Sequence, residues 1–213
     1  MSTLPGCMHK SERAVANEKI HDVYRRFKAA VIAGDGDSAA KELSRETVHY
    51  YKRLQEVALR GTAADLHRLP IEVRLEVLAL RGRVSADELS TLEPRQLASL
   101  FIERNWVNSE NISQISLGNV IHTRRGAEVR YMDSKGIAPS RLVFRNEGKE
   151  WKLDLAATHW MQGRILQNTR LSQGRSEDEL LATILSERLP GVPFERLWEP
   201  LLKNADATTG GTT

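Results

Sequence analysis

The alternation of hydrophobic and polar positions over residues 112–156 predicts four consecutive β-strands. Apolar side chains alternate with polar ones over residues 127–132 and again over residues 151–156, as in half-buried strands. Short turns join the runs, with Gly126 in the first connection and Gly148 in the last. Because a parallel return needs a long crossover, strands joined by such short turns must be antiparallel. The pattern therefore predicts an antiparallel meander.

One face of this predicted sheet collects the apolar side chains and needs a cover of helices. Its members in the second and fourth strands are Val129, Tyr131, Trp151, Leu153 and Leu155. Asp154 has the opposite parity to Trp151, so we expect its carboxylate at the surface. Asp133 falls in a turn, where we expect it to be solvated.

Helical periodicity dominates on both sides of the predicted sheet. An apolar stripe predicts a first helix that begins near Ser11 and ends at Gly34; the stripe comprises Ile20, Val23, Tyr24, Phe27 and Val31. Asp37 is predicted to cap the next helix. Residues 44–105 form a helical insert, and helices follow the sheet over residues 159–203. The predicted fold class is α+β: a four-stranded antiparallel sheet packed on an N-terminal helix, with a helical insert and a helical C-terminal extension.

The domain organisation follows from the same patterns. Residues 11–203 are predicted to form a single α+β domain. Residues 1–10 are predicted to be flexible. Residues 204–213 are rich in glycine and threonine and are predicted to be disordered.

Composition and charge narrow the classes of partner. The 213 residues carry a formal net charge of +3, and charges of both signs are interspersed, which argues against a nucleic-acid partner. No apolar run approaches the ~18 residues that a membrane span requires. Cys7 is the single cysteine, so no intramolecular disulfide is possible. A cytoplasmic protein is predicted; the alternative is a lipoprotein anchored through Cys7, if the start were misassigned.

Two segments resemble a known superfamily. Residues 27–44 (FKAAVIAGDGDSAAKELS) match the pattern of a helix, a corner of small residues and a second helix. Residues 148–155 (GKEWKLDL) match the pattern of a final strand that contains a tryptophan. This arrangement resembles the nuclear transport factor 2-like, or SnoaL-like, superfamily of α+β cone folds. The helical insert at residues 44–105 departs from that pattern. The resemblance implies a cavity between the concave sheet face and the first helix; members include isomerases, cyclases, dehydratases and non-catalytic binding modules.

The resemblance places Tyr24, Tyr131 and Trp151 at that cavity as ligand-binding residues. A tyrosine there can donate a hydrogen bond to an oxyanion, and the alternative is core packing with a satisfied hydroxyl. No carboxylate pair is brought together by spacing, and the histidines lack metal-ligand spacing, so no catalytic residue, metal or cofactor is predicted. The arginines near the strand ends predict either an anion site or a charged sheet edge; they are Arg124, Arg125, Arg141 and Arg145.

Three functional interpretations follow. The first is a non-catalytic module that binds a small apolar molecule or a protein partner. The second is an enzyme of isomerase, cyclase or dehydratase type that acts on a small apolar molecule, with Tyr24 or Tyr131 as the polarising group. The third is a bacterial immunity or accessory protein that docks a partner through residues 44–105. A homodimer is left open by the sequence.

Overall fold

The chain folds as an α+β protein with an antiparallel sheet, which confirms the predicted class. A computed structural model describes residues 10–107, 109–133 and 136–202. Outside these residues lie the predicted flexible N-terminus up to residue 9, which includes Cys7, and the predicted tail from residue 204. Ten α-helices and four strands occur within the described part of the chain.

Two compact units make up the fold. The first, which we call the sheet unit, comprises residues 1–49 and 95–158, and the second, the helical unit, comprises residues 50–94 and 159–213. The assignment of residues 11–203 to one domain stays a prediction. The helices are α1 (Lys10–Ala33), α2 (Gly36–Lys41), α3 (Arg45–Arg60), α4 (Ala63–His67), α5 (Ile71–Arg83), α6 (Ala86–Thr91), α7 (Pro94–Glu103), α8 (Ser109–Ser113), α9 (His159–Gln173) and α10 (Glu177–Arg188). The strands are β1 (Ser116–Thr123), β2 (Gly126–Asp133), β3 (Gly136–Glu147) and β4 (Glu150–Asp154).

Helix α1 buries the stripe that its periodicity predicts. Ile20, Val23, Tyr24, Phe27 and Val31 are all buried in the core. Gly34 follows the helix with a φ of 70°, a conformation that glycine adopts without strain. The cap of α2 differs from the prediction, because Asp35, not Asp37, accepts a hydrogen bond from the backbone N–H of Ser38. Helix α2 therefore begins two residues earlier than a cap at Asp37 would place it.

The sheet is a meander in the order β1-β2-β3-β4, with every pair antiparallel. It begins at Ser116 and not at residue 112, because residues 109–113 form α8. Gly148 takes a φ of 80° in the turn between β3 and β4. The outer edge of β4 is bridged by Leu43, whose neighbours exchange backbone hydrogen bonds with Leu153. This bridge satisfies backbone groups that an edge strand would leave open.

Asp154 is the main correction to the predicted sheet. The side chain is only 1% exposed, whereas parity predicted a surface carboxylate. The residue does lie on the face opposite to Trp151. That face is covered at this point by a short 3-10 turn at residues 156–158, whose Ala157 N–H donates to Asp154 Oδ1 at 3.1 Å. A segment that follows the strand thus buries a position that the strand pattern marks as exposed.

The helical unit has its own apolar core, built from α4, α5, α6, α10 and a 3-10 segment at residues 194–198. Its fully buried leucines include Leu66, Leu78, Leu89 and Leu181. Buried Arg81 crosses this core and donates to four backbone carbonyls. None of the helices in the described residues has the length and apolarity needed to span a membrane.

Candidate functional site

A cleft of ≈ 500 Å³ opens at one end of the sheet. In an antiparallel meander, the β1–β2 turn and the β3–β4 turn lie at the same end, so residues far apart in sequence meet there. The start of α3 contributes one further wall. The cleft is lined by Glu46, His122, Thr123, Arg124, Arg125, Gly126, Arg145, Asn146, Glu147 and Trp151.

Arg145 is the basic residue that is held most firmly at the cleft. Its Nε donates to Asp154 Oδ2 at 2.7 Å, and its Nη1 donates to the Arg125 carbonyl at 3.3 Å. The side chain is 26% exposed, so it is partly open to solvent while its carboxylate partner is buried. Arg145 lies opposite Lys152 in the β3–β4 ladder, and Asp154 lies opposite Val143, which makes the ion pair a diagonal one on a single face.

Trp151 and His122 form the aromatic wall of the cleft. Their rings meet edge to face with centroids 6.0 Å apart. His122 Nε2 lies 2.7 Å from Asn17 Oδ1 on α1. An amide oxygen only accepts, so Nε2 carries the hydrogen. Burial, reinforced by the charge of Arg13, lowers the pKa of His122, which favours a neutral ring near neutral pH.

Two glutamates supply the acidic side of the cleft. Glu147 accepts the backbone N–H of Arg45 at 2.7 Å and pairs with the Arg45 side chain, with Nε and Oε2 3.4 Å apart. This places its carboxylate at the first turn of α3, where the helix dipole favours a negative charge. Glu46 is exposed on the same turn. Three arginines therefore face two glutamates, one of which is already neutralised by Arg45.

The structure brings only one of the three predicted ligand-binding residues to this cleft. Trp151 is buried at 7% exposure and lines it, whereas Tyr24 and Tyr131 do not. Tyr24 is 5% exposed, and its hydroxyl has no hydrogen-bond partner among the described residues. Burial raises the pKa of Tyr24, and the neighbouring Tyr131 raises that pKa further. Neither tyrosine is therefore part of this cleft.

The predicted arginine cluster is divided by the structure. Arg124, Arg125 and Arg145 reach the cleft, while Arg141 pairs with Glu128 on the sheet surface and does not line it. The residues that sequence reasoning missed are His122 and the Arg145–Asp154 pair. The pair could have been predicted from the hairpin register. A turn at residues 147–150 places Arg145 and Asp154, which have opposite charges, at diagonal positions of β3 and β4.

A second cleft of ≈ 310 Å³ also includes Trp151 in its lining. Its other walls are mostly charged, and its central charges are paired, since Arg26 donates from Nε and Nη2 to the two carboxylate oxygens of Glu42 at 2.8 Å. A bidentate pair of this kind uses the donors that a ligand would need. This cleft is the weaker candidate for a binding site.

A buried polar cluster in the helical unit also has chemically capable groups. Tyr50 donates to Glu76 Oε2 at 2.6 Å, and His159 Nδ1 lies 2.9 Å from Glu76 Oε1. The rings of Tyr50 and His159 stack with centroids 4.4 Å apart. Burial, with the charge of Glu76, raises the pKa of Tyr50 and keeps its hydroxyl protonated. Neither cleft described above reaches the cluster, and its contacts hold the first turn of α9 to α3 and α5.

Comparisons with protein-family models, with curated proteins and with solved structures found no match. Within residues 10–107, 109–133 and 136–202, no group of three or more histidine, cysteine or acidic side chains is arranged to hold a metal ion. The arginine-lined cleft at the end of the sheet is therefore the candidate functional site.

Proposed function

We propose that this protein is a non-catalytic binding module whose cleft at the end of the sheet takes a small molecule with an oxyanion and a flat apolar part. The observation that carries the proposal is Arg145, which is held by buried Asp154 at the wall of a cleft that also contains Trp151. A guanidinium in fixed orientation binds a carboxylate or phosphate with two parallel hydrogen bonds. Arg124 and Arg125 add positive charge at the rim.

The flat part of the ligand follows from the aromatic wall. The neutral ring of His122 and the small exposed part of Trp151 contribute ring atoms to the cleft that Arg124 and Arg125 also line. Aromatic rings pack on such a surface in offset or edge-to-face geometry. The ligand proposed here is thus more polar than the small apolar molecule that the sequence suggested, because the lining of the cleft is itself largely polar.

The ionisable groups of the cleft support binding over catalysis. His122 is engaged by Asn17, and Glu147 is engaged by Arg45. Asp154, the most deeply buried carboxylate near the cleft, is engaged by Arg145 and by the Ala157 N–H. A general acid or base needs a group free to exchange a proton with the substrate; these three are committed to protein partners, and the remaining carboxylate of the lining, Glu46, is exposed to solvent. The resemblance to the nuclear transport factor 2-like superfamily is part of this proposal, and the helix-plus-meander architecture supports it.

The proposal is tested by nuclear magnetic resonance titration with three probes: phenyl phosphate, inorganic phosphate and benzyl alcohol. Phenyl phosphate is expected to bind most tightly, because it offers both the oxyanion and the ring. Its binding should shift the indole N–H resonance of Trp151 and weaken as salt is added. An Arg124→Gln/Arg125→Gln variant is expected to bind it more weakly than the wild type.

The matched control is Arg141→Gln, which removes an arginine of the same sheet that does not line the cleft. This variant is expected to bind phenyl phosphate as the wild type does. Clear weakening in Arg141→Gln, which removes one charge where the double variant removes two, would mean that the overall charge matters and not the cleft. That result, or no shift of Trp151 with any probe, would reject the proposed site.

A second candidate function has one observation in its favour. The buried Tyr24 hydroxyl lacks a hydrogen-bond partner among the described residues. The enzymatic interpretation requires a phenol that polarises a carbonyl of a bound substrate, and Tyr24 is the candidate for that role although it lines neither cleft. Screening for turnover of unsaturated or keto-group small molecules by wild type and Tyr24→Phe tests it. Turnover that the variant retains in full would exclude Tyr24 as the polarising group.

A further inference from the structure

The buried carboxylate behind the cleft has a role that the cleft lining alone does not reveal. We infer that Asp154 is a positioning residue, which fixes the Arg145 guanidinium so that its outer edge is presented to the oxyanion of the ligand. The part of this inference that concerns the ligand rests on the proposed function. The orientation of Arg145 by Asp154 is a property of the free protein and is measurable without any ligand.

Both oxygens of Asp154 are held in place. Oδ2 accepts from Arg145 Nε at 2.7 Å, and Oδ1 accepts from the backbone N–H of Ala157 at 3.1 Å. The second bond connects the carboxylate to the 3-10 turn that covers it. A carboxylate with two fixed acceptor contacts restricts the rotation of its arginine partner more than a single exposed ion pair does. Asp154 therefore provides a rigid support for Arg145.

The contacts of Arg145 leave one edge of the guanidinium for a ligand. A guanidinium has five N–H groups; Asp154 accepts from Nε, and the Arg125 carbonyl accepts one hydrogen of Nη1. Three N–H groups on Nη1 and Nη2 make no other hydrogen bond to the described residues. They comprise both N–H groups of Nη2 and one of Nη1, and donors on these adjacent nitrogens suit the oxygens of a carboxylate or phosphate. Arg145 is thus arranged to bind a planar pair of oxygens.

Asp154 itself does not line the cleft, so it acts on a ligand only through Arg145. The pair also explains why a carboxylate is tolerated at this position, since a buried charge without a partner is strongly unfavourable. Removing Asp154 frees Arg145 to move into solvent. Removing Arg145 leaves the buried charge unpaired, so that change alone is expected to disturb the sheet end, and the test needs the neutral double variant.

The test uses the full chain with Asp154→Asn, with Arg145→Gln, and with both changes together. The matched control is Glu128→Gln, which removes the carboxylate of an exposed arginine pair on the same sheet. The first measurement is the Nε–Hε resonance of Arg145 in the free protein, observed through its exchange with water. The second is the affinity for phenyl phosphate, followed through the Trp151 indole resonance.

Asp154→Asn is expected to accelerate the exchange of the Arg145 Hε and to weaken phenyl phosphate binding roughly tenfold, because a charge-assisted support is lost. In the Arg145→Gln background, the same change should have no further effect on affinity. Glu128→Gln should leave both measurements as in the wild type. This non-additive pattern is the signature of a residue that acts through its partner.

Two outcomes would overturn the inference. One is an unchanged Arg145 Hε exchange rate in Asp154→Asn. The other is an equal loss of affinity from Asp154→Asn with and without Arg145, which would assign Asp154 a general structural role. If the wild type fails to bind phenyl phosphate while Asp154→Asn still accelerates Hε exchange, the positioning role is supported and the proposed ligand class is rejected.

Discussion

Replacing Arg81 with methionine is expected to lower the free energy of unfolding by about 3 kcal/mol. The side chain is 6% exposed and reaches the end of α3 from α5. Its Nε donates to the Ala58 carbonyl at 3.0 Å, its Nη1 to the Leu197 carbonyl at 3.1 Å, and its Nη2 to the Val57 carbonyl at 2.9 Å and to the Gly61 carbonyl. One cation thus satisfies acceptors from three segments of the helical unit.

The size of the expected stability loss depends on which carbonyls still have a hydrogen-bond donor after the guanidinium is removed. The Val57 and Ala58 carbonyls retain the backbone donors of Gly61 and Leu201. The Gly61 and Leu197 carbonyls lose the donor that Arg81 supplies, at about 1–3 kcal/mol for each buried group left unsatisfied. The methionine avoids the cost of burying a cation, which offsets part of that loss. The expected net loss of about 3 kcal/mol therefore lies in the lower half of the range obtained by adding the costs of the two carbonyls.

The assay is urea denaturation followed by helical circular dichroism, with the slope m compared between variants. The control is Arg60→Met, which replaces an exposed arginine at the end of α3. This variant is expected to change stability by less than about 0.5 kcal/mol. Arg81→Lys is expected to fall between the two, because an ammonium keeps the charge but lacks the planar geometry. A loss below about 1 kcal/mol in Arg81→Met, with m unchanged, would mean that the hydrogen bonds of Arg81 contribute little to stability.

Three further predictions concern the sheet unit. Tyr24→Phe is expected to leave stability unchanged or to raise it by up to about 1 kcal/mol in chemical denaturation, because the deleted hydroxyl is buried without a partner among the described residues; a loss above about 1 kcal/mol would mean that the hydroxyl is bonded. Stability should fall as the pH is lowered through and below the ordinary histidine pKa of 6.5, because the folded-state pKa of His122 is lower and the unfolded state binds more protons in that window. The fall should be smaller in His122→Gln. A pH profile of stability that is the same in this variant and in the wild type would contradict the pKa shift. Gly36→Ala should destabilise by about 2 kcal/mol in the same assay, because its Cβ would enter the space of the Ser99 carbonyl, and wild-type stability would disprove that close packing.

Much of the sheet could be predicted from the local pattern of apolar, polar and turn residues. Alternation located β2 and β4, and short turns made the strands antiparallel. The turn glycine Gly148 takes the left-handed φ that a hairpin connection requires. These features depend on residues within a few positions of each other, so the chain encodes them locally. The start of β1 was misjudged because β-branched residues at 112–115 belong instead to α8 and the turn after it.

The candidate site was less predictable, because its parts depend on tertiary cover. The alternation in β4 identified the two faces correctly but could not show that residues 156–158 fold back over Asp154. The cleft forms at the end of the sheet, where only Trp151 of the three predicted ligand-binding residues lies. Parity tells which side a residue faces, whereas burial depends on what else packs there.

The irregular pairing of β1 bears on how this protein behaves at high concentration. Between Leu117 and Val120, β1 has two residues where β2 has only Arg130, so the strand carries a bulge. β1 is the edge opposite to the one that Leu43 bridges. A bulged edge is a poor template for a foreign strand, since its amide spacing no longer matches a regular ladder. The bulge in β1 and the bridge at β4 are therefore both expected to disfavour the addition of a foreign strand at the edges of this sheet.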